Sequence, residues 1–402
     1  MLQCVCPVDL NKETFLMSRS YIIIISAALV STLLTSCFKD EPLNAECDIE
    51  QAWLHSDYPS ETFVKLADSI ATNNETARTI IFTVRKGTDI TALAPMFKLT
   101  PGATISPGNG SVHNFKDQAV NYTVTSEDRA WSKTYTVRFD EAEDGSLFFD
   151  FENFFLETAK SKYYIWTDMT ENGTQMLNWA SGNGGFAIVG GNAAPEEYPT
   201  APCDGGVDGG HAVSLTTRAT GQAGAVFKMP IAAGNLFTGT FRTNSATMAP
   251  LKATHFGEGP YCVVTKKPLR FTGFYQYAPG ATVTDRQGNV VEGITDRGDI
   301  YAVLFRNTAA DGKSFYLNGE DVKTSDQIVA RAFVGPIDRT EDGKWQKFDI
   351  PFEYIAPLDE LTLANRGYSL AIVFTSSNEG ASFQGAVGSR MLIDNVRVTV
   401  DE

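Results

Sequence analysis

Lys133-Thr134-Tyr135-Thr136-Val137-Arg138-Phe139 alternates residue by residue. A period of two puts Tyr135, Val137 and Phe139 on one face and the polar residues on the other, the pattern of a half-buried strand. Working outward, Thr79-Ile80-Ile81-Phe82-Thr83-Val84 reads as a strand ended by Lys86-Gly87, and Met96-Phe97-Lys98-Leu99 as one stopped by Pro101-Gly102. Residues 119–125 alternate, and Ser126-Glu127-Asp128 fits the turn between the last two strands. Asp89 to Leu93 reads as a single helical turn. About seven short strands within 46–139 predict an immunoglobulin-like sandwich.

The acidic, glycine-containing run 140–146 marks a boundary. Beyond it, β patterns recur at 147–152, 162–167, 186–190, 211–218, 223–228, 236–242, 270–276, 300–306, 328–334, 345–351, 368–375 and 390–400. Helical patterns long enough to cover a parallel sheet are absent, which argues against α/β folds. The expected class is all-β, with a larger jelly-roll β-sandwich over 147–402.

Composition supports an exported β-rich protein. Phe (26), Tyr (14) and Trp (5) are prominent, and the formal charge is −15. Such a surface repels phosphate backbones, so nucleic acid is not an expected partner. The densest basic spot is only Lys266-Lys267 with Arg270.

Residues 21–30 form a short apolar run preceded by Arg19, too short for a membrane span and suited to a signal peptide. Leu34-Thr35-Ser36-Cys37 resembles a bacterial lipobox, which implies that residues 1–37 are a lipoprotein leader and that Cys37 carries lipid. Met17-Ser18-Arg19 looks like the start of that leader. Residues 38–45 read as a tether, and Phe38-Lys39-Asp40-Glu41 resembles the surface-export signal of Bacteroidetes lipoproteins. The expected location is the outer membrane with the chain facing out; the periplasmic face is the alternative. Of the remaining cysteines, Cys47, Cys203 and Cys262, a Cys203–Cys262 bridge and unpaired thiols are both open.

Two resemblances follow from longer phrases. The hairpin 122–137 and the run Leu99-Thr100-Pro101-Gly102-Ala103 resemble bacterial Ig-like modules of surface lipoproteins, which implies a spacer. Tyr198-Pro199-Thr200, His211-Ala212-Val213-Ser214-Leu215, residues 232–239, residues 271–280, Gly298-Asp299-Ile300-Tyr301 and Leu392-Ile393-Asp394-Asn395-Val396 occur in order. Together they resemble the "putative carbohydrate metabolism domain" family of Bacteroidetes lipoproteins. The resemblance implies a galactose-binding-like jelly roll that handles glycans, and it carries no catalytic pattern with it.

Sugar recognition needs an apolar platform for the pyranose C–H face and convergent polar groups for the hydroxyls. Platform candidates are Trp166, Trp179, Tyr261, Tyr275 and Tyr277; polar candidates are Asn178, Asn183, Gln276, Arg270 and Asp299. In a chain this aromatic, core packing is the competing reading of each ring. Glycoside hydrolysis needs two carboxylates, for which Asp168 with Glu171, Glu196 with Glu197, and Asp299 are available. His211 and His255 lie in no catalytic motif, and His55 and His113 read as solvated. The loop Asp204 to Gly210 reads as a solvated turn. Glu152 and Asp394 resemble the acidic pair that holds a structural calcium in sugar-binding jelly rolls; pairing with Arg390 or Arg397 is the alternative. The leading expectation is non-catalytic glycan binding at the cell surface, beside other lipoproteins of an uptake system. A glycoside hydrolase and a structural or adhesive protein are the two alternatives.

Overall fold

The structure, a computed structural model, describes residues 42–401 except 64, 65, 75, 143, 144, 170–174 and 247. The expected leader, Cys37 and the expected export signal lie outside the described residues. No described helix is long and apolar enough to cross a membrane.

Seven strands occupy the first part of the chain. Ile49–Trp53 pairs with Met96–Leu99, and a second sheet runs Thr72–Asn74, Thr79–Arg85, Ser132–Ala142, Val120–Thr125, Thr104–Ser106. Tyr135 and Val137 are buried with Phe82, Phe97 and Tyr122 in a core built only from residues 47–139. Asp48 ties the two sheets by accepting hydrogen bonds from Lys133 Nζ and from Tyr135 Oη (2.9 Å). Lys133 holds the Asp48 carboxyl below its ordinary range, against a smaller opposing effect of burial. Asp89 forms no helical turn. Its carboxylate accepts Thr91 N (2.8 Å) and Thr91 Oγ1, a local side-chain turn that competes with helix.

The larger part is a sandwich of antiparallel strands. One sheet runs Glu353–Tyr354, Ile328–Ile337, Gly298–Arg306, Tyr368–Thr375, Asn235–Phe241, Gln175–Ala180, Tyr164–Met169, Phe154–Leu156, with Thr254–Phe256 also paired to Asn235–Phe241. The other runs Thr200–Asp204, His211–Thr216, Arg390–Val400, Pro268–Ala278, Gln346–Pro351, with Leu147–Phe149 also paired to Arg390–Val400. The fold is thus all-β, an immunoglobulin-like sandwich followed by a larger jelly-roll-like one.

Strand parity assigns the faces. Leu236, Ile300, Ala302, Leu304, Ile372 and Phe374 meet Val213, Leu215, Phe271, Met391 and Ile393 between the sheets. The alternate residues Phe237, Tyr301, Val303, Phe305, Ala371 and Val373 are buried on the opposite face, beneath Phe256, Leu317 and Val322. The central strands are therefore covered on both sides.

Two expected strands are helices. Residues 186–190 fall in or just after the helix Asn183–Val189, and 223–228 overlap Gly221–Val226. Short apolar runs do not distinguish the two states by periodicity. In the first, Asn183 decides the matter: its Nδ2 donates to Thr200 O (2.7 Å) and its Oδ1 accepts Thr200 N (3.1 Å), pinning the helix start to a strand. The helix then seats Phe186 edge-on to Tyr198.

Cys203 and Cys262 are both free thiols. Cys203 lies in the Thr200–Asp204 edge strand, whereas Cys262 is buried in the core, where burial pushes its thiol up to about 12.

Trp179 is 4% exposed and packs against Phe149, Phe151 and Phe374, with centroids 4.9, 5.3 and 6.0 Å away. Trp179→Ala is expected to cost about 3–5 kcal/mol in chemical denaturation, the range for truncating a large core aromatic. A loss under about 1 kcal/mol would contradict this packing.

Candidate functional site

A cavity of about 410 Å³ opens on the outer face of the larger sheet, within the range of small-ligand pockets. Its floor is set by register. Phe237 and Tyr301 both pair with Val373, giving an apolar row across three strands. Two residues along, Asn235 and Asp299 both pair with Thr375, giving a polar row beside it. The helix Asn183–Val189 and the segments 319–324 and 378–383 contribute the walls.

The polar row is already oriented. Asn235 Oδ1 accepts Gly182 N (2.7 Å), and Thr375 Oγ1 donates to Ser377 O (3.1 Å). Asp299 is 3% exposed and pairs with Lys323 Nζ. Lys323 also lies over the Tyr301 ring, 4.7 Å from its centroid. Burial raises the Asp299 pKa, and the Lys323 charge opposes that rise. Glu379, also in the lining, adds to it. With Glu320 also in the lining, the cleft has more carboxylates than cations.

Asp299 is the sequence candidate that the fold places in this cleft. Trp166 (1% exposed) and Trp179 are instead packed between the sheets, so neither ring presents a platform. Tyr275 and Tyr277 do share a face, but it is the core face; Tyr277 is buried and donates to Ser376 O (3.1 Å). Asn183 is fully buried in its clamp on Thr200. Tyr261 is half exposed on the turn Pro260–Cys262 and is not in the cleft lining. Arg270 pairs with Asp349 (2.6 Å), and Gln276 is partly buried on a strand of the other sheet. Glu171 and the side chains of Asp168 and Asn178 lie outside the described residues. Glu196 accepts Tyr164 Oη (2.7 Å), whereas Glu197 accepts Ala194 N within its own turn (2.9 Å). These two carboxylates do not act as a pair. His255 stacks on Tyr316 and bonds Glu258. Phe237, Asn235, Tyr301, Lys323 and Thr375 were not singled out as site residues. The spacing Asp299–Tyr301, two apart on one strand, was the available signal.

Glu152 and Asp394 meet at the turn 204–211, which is not a free solvated loop. Glu152 Oε1 accepts His211 N (2.8 Å), and its Oε2 contacts His211 Nδ1 (3.0 Å). Asp394 Oδ2 accepts Val207 N (2.7 Å), and its Oδ1 accepts Asn395 N (2.8 Å). A Cβ at Gly206 would lie 2.6 Å from the His211 backbone O, so the turn needs that glycine, whereas one at Gly210 would displace the Glu152 carboxylate. Calcium takes six to eight oxygens. Here the carboxylates are turned toward nitrogen partners, and no group of three or more His, Cys, Asp or Glu side chains converges among the described residues. This arrangement does not fit a calcium shell. Arg390 and Arg397 are not their partners either: Arg390 Nε donates to Ser214 Oγ (3.0 Å), and Arg397 lies over Phe148.

The fold and cleft define a class: a two-part β-sandwich protein with a lined cleft on the outer face of its larger sheet. Residues 150–399 match the family described as "Putative carbohydrate metabolism domain", and the chain belongs to that family. Residues 61–138 match the SGBP N-terminal domain. A crystal structure from Bacteroides thetaiotaomicron VPI-5482, described as a putative glycoside hydrolase, is 37% identical with a TM-score of 0.58. It covers 90% of this chain and 99% of its own. A second, from Bacteroides vulgatus ATCC 8482 and described likewise, is 32% identical with a TM-score of 0.56, covering 63% of this chain and 98% of its own. No curated protein matches the chain.

Burial raises Asp394 from 3.8 to about 6, helped by Asp208 and Glu152 and opposed by the Val207 N–H. The folded state therefore holds this proton more tightly than the unfolded chain does. Its stabilising effect is present below about pH 4 and is lost as pH rises through about 6. Asp394→Asn should gain on the wild type by up to about 3 kcal/mol between pH 3.5 and pH 7, at 1.36 kcal/mol per unit. A stability difference that stays constant over that range in urea melts would refute the assignment.

Proposed function

We propose that the protein is a surface lipoprotein that binds glycan without cleaving it, in the cleft over Phe237, Val373 and Tyr301. The observation that carries this reading is that the cleft joins a partly exposed apolar lining to the polar row Asn235, Thr375 and Asp299. A pyranose has an apolar C–H face and an equatorial belt of hydroxyls. The partly exposed apolar lining, Val189, Phe241 and Phe383, suits the first, and Asn235, Thr375 and Asp299 suit the second. Family membership supports carbohydrate as the ligand. Residues 46–139 would act as a spacer, and neighbouring surface lipoproteins would receive the captured polysaccharide.

A polysaccharide panel on the purified protein, followed both by affinity-gel retention and by release of reducing ends, tests the proposal. Retention without release is expected, with the 46–139 fragment unretained. Asp299→Asn should weaken retention about tenfold or more, since a hydrogen bond to a charged group contributes about 1.5–3 kcal/mol. Unaltered retention by a folded Asp299→Asn protein would place the ligand elsewhere.

Hydrolysis is the second reading, favoured by the raised proton affinity of Asp299 beside Glu379 and by the description of the two relatives. Steady release of reducing ends that disappears in both Asp299→Asn and Glu379→Gln would establish it.

The proposed anchor is lipid on Cys37, with the chain exposed outside the outer membrane. Labelled palmitate should enter the wild type and not Cys37→Ala, and protease added to whole cells should remove the protein. Equal labelling, or full protection from protease, would refute the corresponding half.

A further inference from the structure

The outer face of the smaller sheet carries a second cavity, of about 290 Å³. It lies across the sandwich from the cleft. Val213, Leu215 and Met391 point into the core, so their neighbours Ser214, Thr216 and Arg390 point out into this cavity. Thr216 pairs with Arg390 across the two strands, and Arg218 follows two residues after Thr216. Tyr198, Cys203 and Glu196 complete the lining used here.

The electrostatics of this cavity are incomplete. Two guanidinium groups share one concavity in a chain of formal charge −15. Arg390 bonds neutral partners, donating from Nε to Ser214 Oγ (3.0 Å) and lying against the Cys203 thiol. Arg218 Nε is buried from solvent with no hydrogen-bond partner. Neither arginine forms an ion pair among the described residues. The one carboxylate at the cavity, Glu196, is committed to Tyr164 Oη instead (2.7 Å). A buried donor without a partner is costly, and two like charges side by side add repulsion. An anion between them would relieve both.

We infer that this cavity is an anion site for a ligand that carries a carboxylate or a sulfate. The guanidinium fork meets two oxygens at once, of a planar carboxylate or of one edge of a tetrahedral oxyanion such as sulfate. Ser214 accepts from Arg390 and keeps its own O–H to donate to an anion oxygen. The volume is enough for a single sugar ring. The ligand class is therefore an acidic sugar, a uronate or a sulfated residue. The cleft on the other face has an excess of carboxylates and selects against the same groups. The oxyanion site rests on the arginine pair and stands whether or not the cleft binds glycan, whereas the sugar part of the ligand class rests on family membership.

Titration calorimetry of the purified protein with a galacturonate oligosaccharide, a sulfated oligosaccharide, inorganic sulfate and a neutral galactose oligosaccharide tests it. Saturable binding of at least one anionic probe is expected, weakening as salt is raised. Arg218→Gln should weaken that binding about tenfold or more, the factor of a 1.4 kcal/mol loss. Arg390→Gln should do the same, with both variants folded by circular dichroism. Neutral-glycan binding should be unchanged in both, which separates this site from the cleft. Binding of sulfate together with both sugars would define a general oxyanion site; binding of one sugar alone would name the group it is built for. Absence of saturable binding by all three anions would overturn the inference. So would full anionic binding in both arginine variants.

Discussion

The double burial of two neighbouring strands is the constraint on which the larger domain depends. Gly298–Arg306 and Tyr368–Thr375 pair along eight residues, and nearly every side chain on them is buried. Antiparallel sheets commonly leave one face to solvent. Here the even-numbered residues close the sandwich core and the odd-numbered ones carry a second apolar layer. That second layer is incomplete at one end, where Asp299 and Thr375 replace the apolar residues. The cleft is thus a place where the covering layer stops, and its floor is as rigid as the core beneath it. A one-residue slip of Gly298–Arg306 would send Asp299 into the core, and one of Tyr368–Thr375 would do the same to Thr375, so register is strongly specified.

The same logic explains which parts of the molecule were readable as sequence. Strands with alternating or continuous apolar patterns, such as 133–139, 300–306 and 368–375, stand where the patterns put them. The runs 186–190 and 223–228 were misread because a few apolar residues between glycines carry no period. Their state is set by tertiary contacts, in the first case the Asn183–Thr200 clamp. The site was less legible than the fold for a related reason. Aromatic identity announces packing as readily as stacking, and Trp166 and Trp179 went to the core because the sandwich had large volumes to fill. Asp299 was visible as a charge inside an apolar strand, an expense that needs compensation. Its partner Lys323 lies in a turn segment 24 residues later, and nothing local to either residue joins them.

The turn at 204–211 shows how the same acidic residues can support two different structures. An early carboxylate, Glu152, and a late one, Asp394, both reach this turn. They converge on the backbone N–H groups of a glycine-rich turn. The Val207 N–H and the His211 N–H bind these carboxylates, and the turn is latched onto strand Arg390–Val400 by Asp394 and by the Asn395–Asp208 bond (2.7 Å).

Whether the cleft cleaves or only holds its ligand turns on Asp299. A general acid must carry a proton at the working pH and be free to give it up. Burial favours the proton, whereas Lys323, in direct contact, favours the ionised form. Breaking that pair to protonate Asp299 would leave an ammonium beside a buried site without its counter-ion, and such one-sided removal is strongly unfavourable. An ionised Asp299 held by Lys323 is instead an acceptor for sugar hydroxyls, with its direction fixed before the ligand arrives. Pre-orientation lowers the ordering cost of binding, and Asn235 and Thr375, each already bonded to backbone, extend it along the row. The proposed binding role uses Asp299 in this fixed, paired state, whereas the hydrolytic alternative would need it released from Lys323.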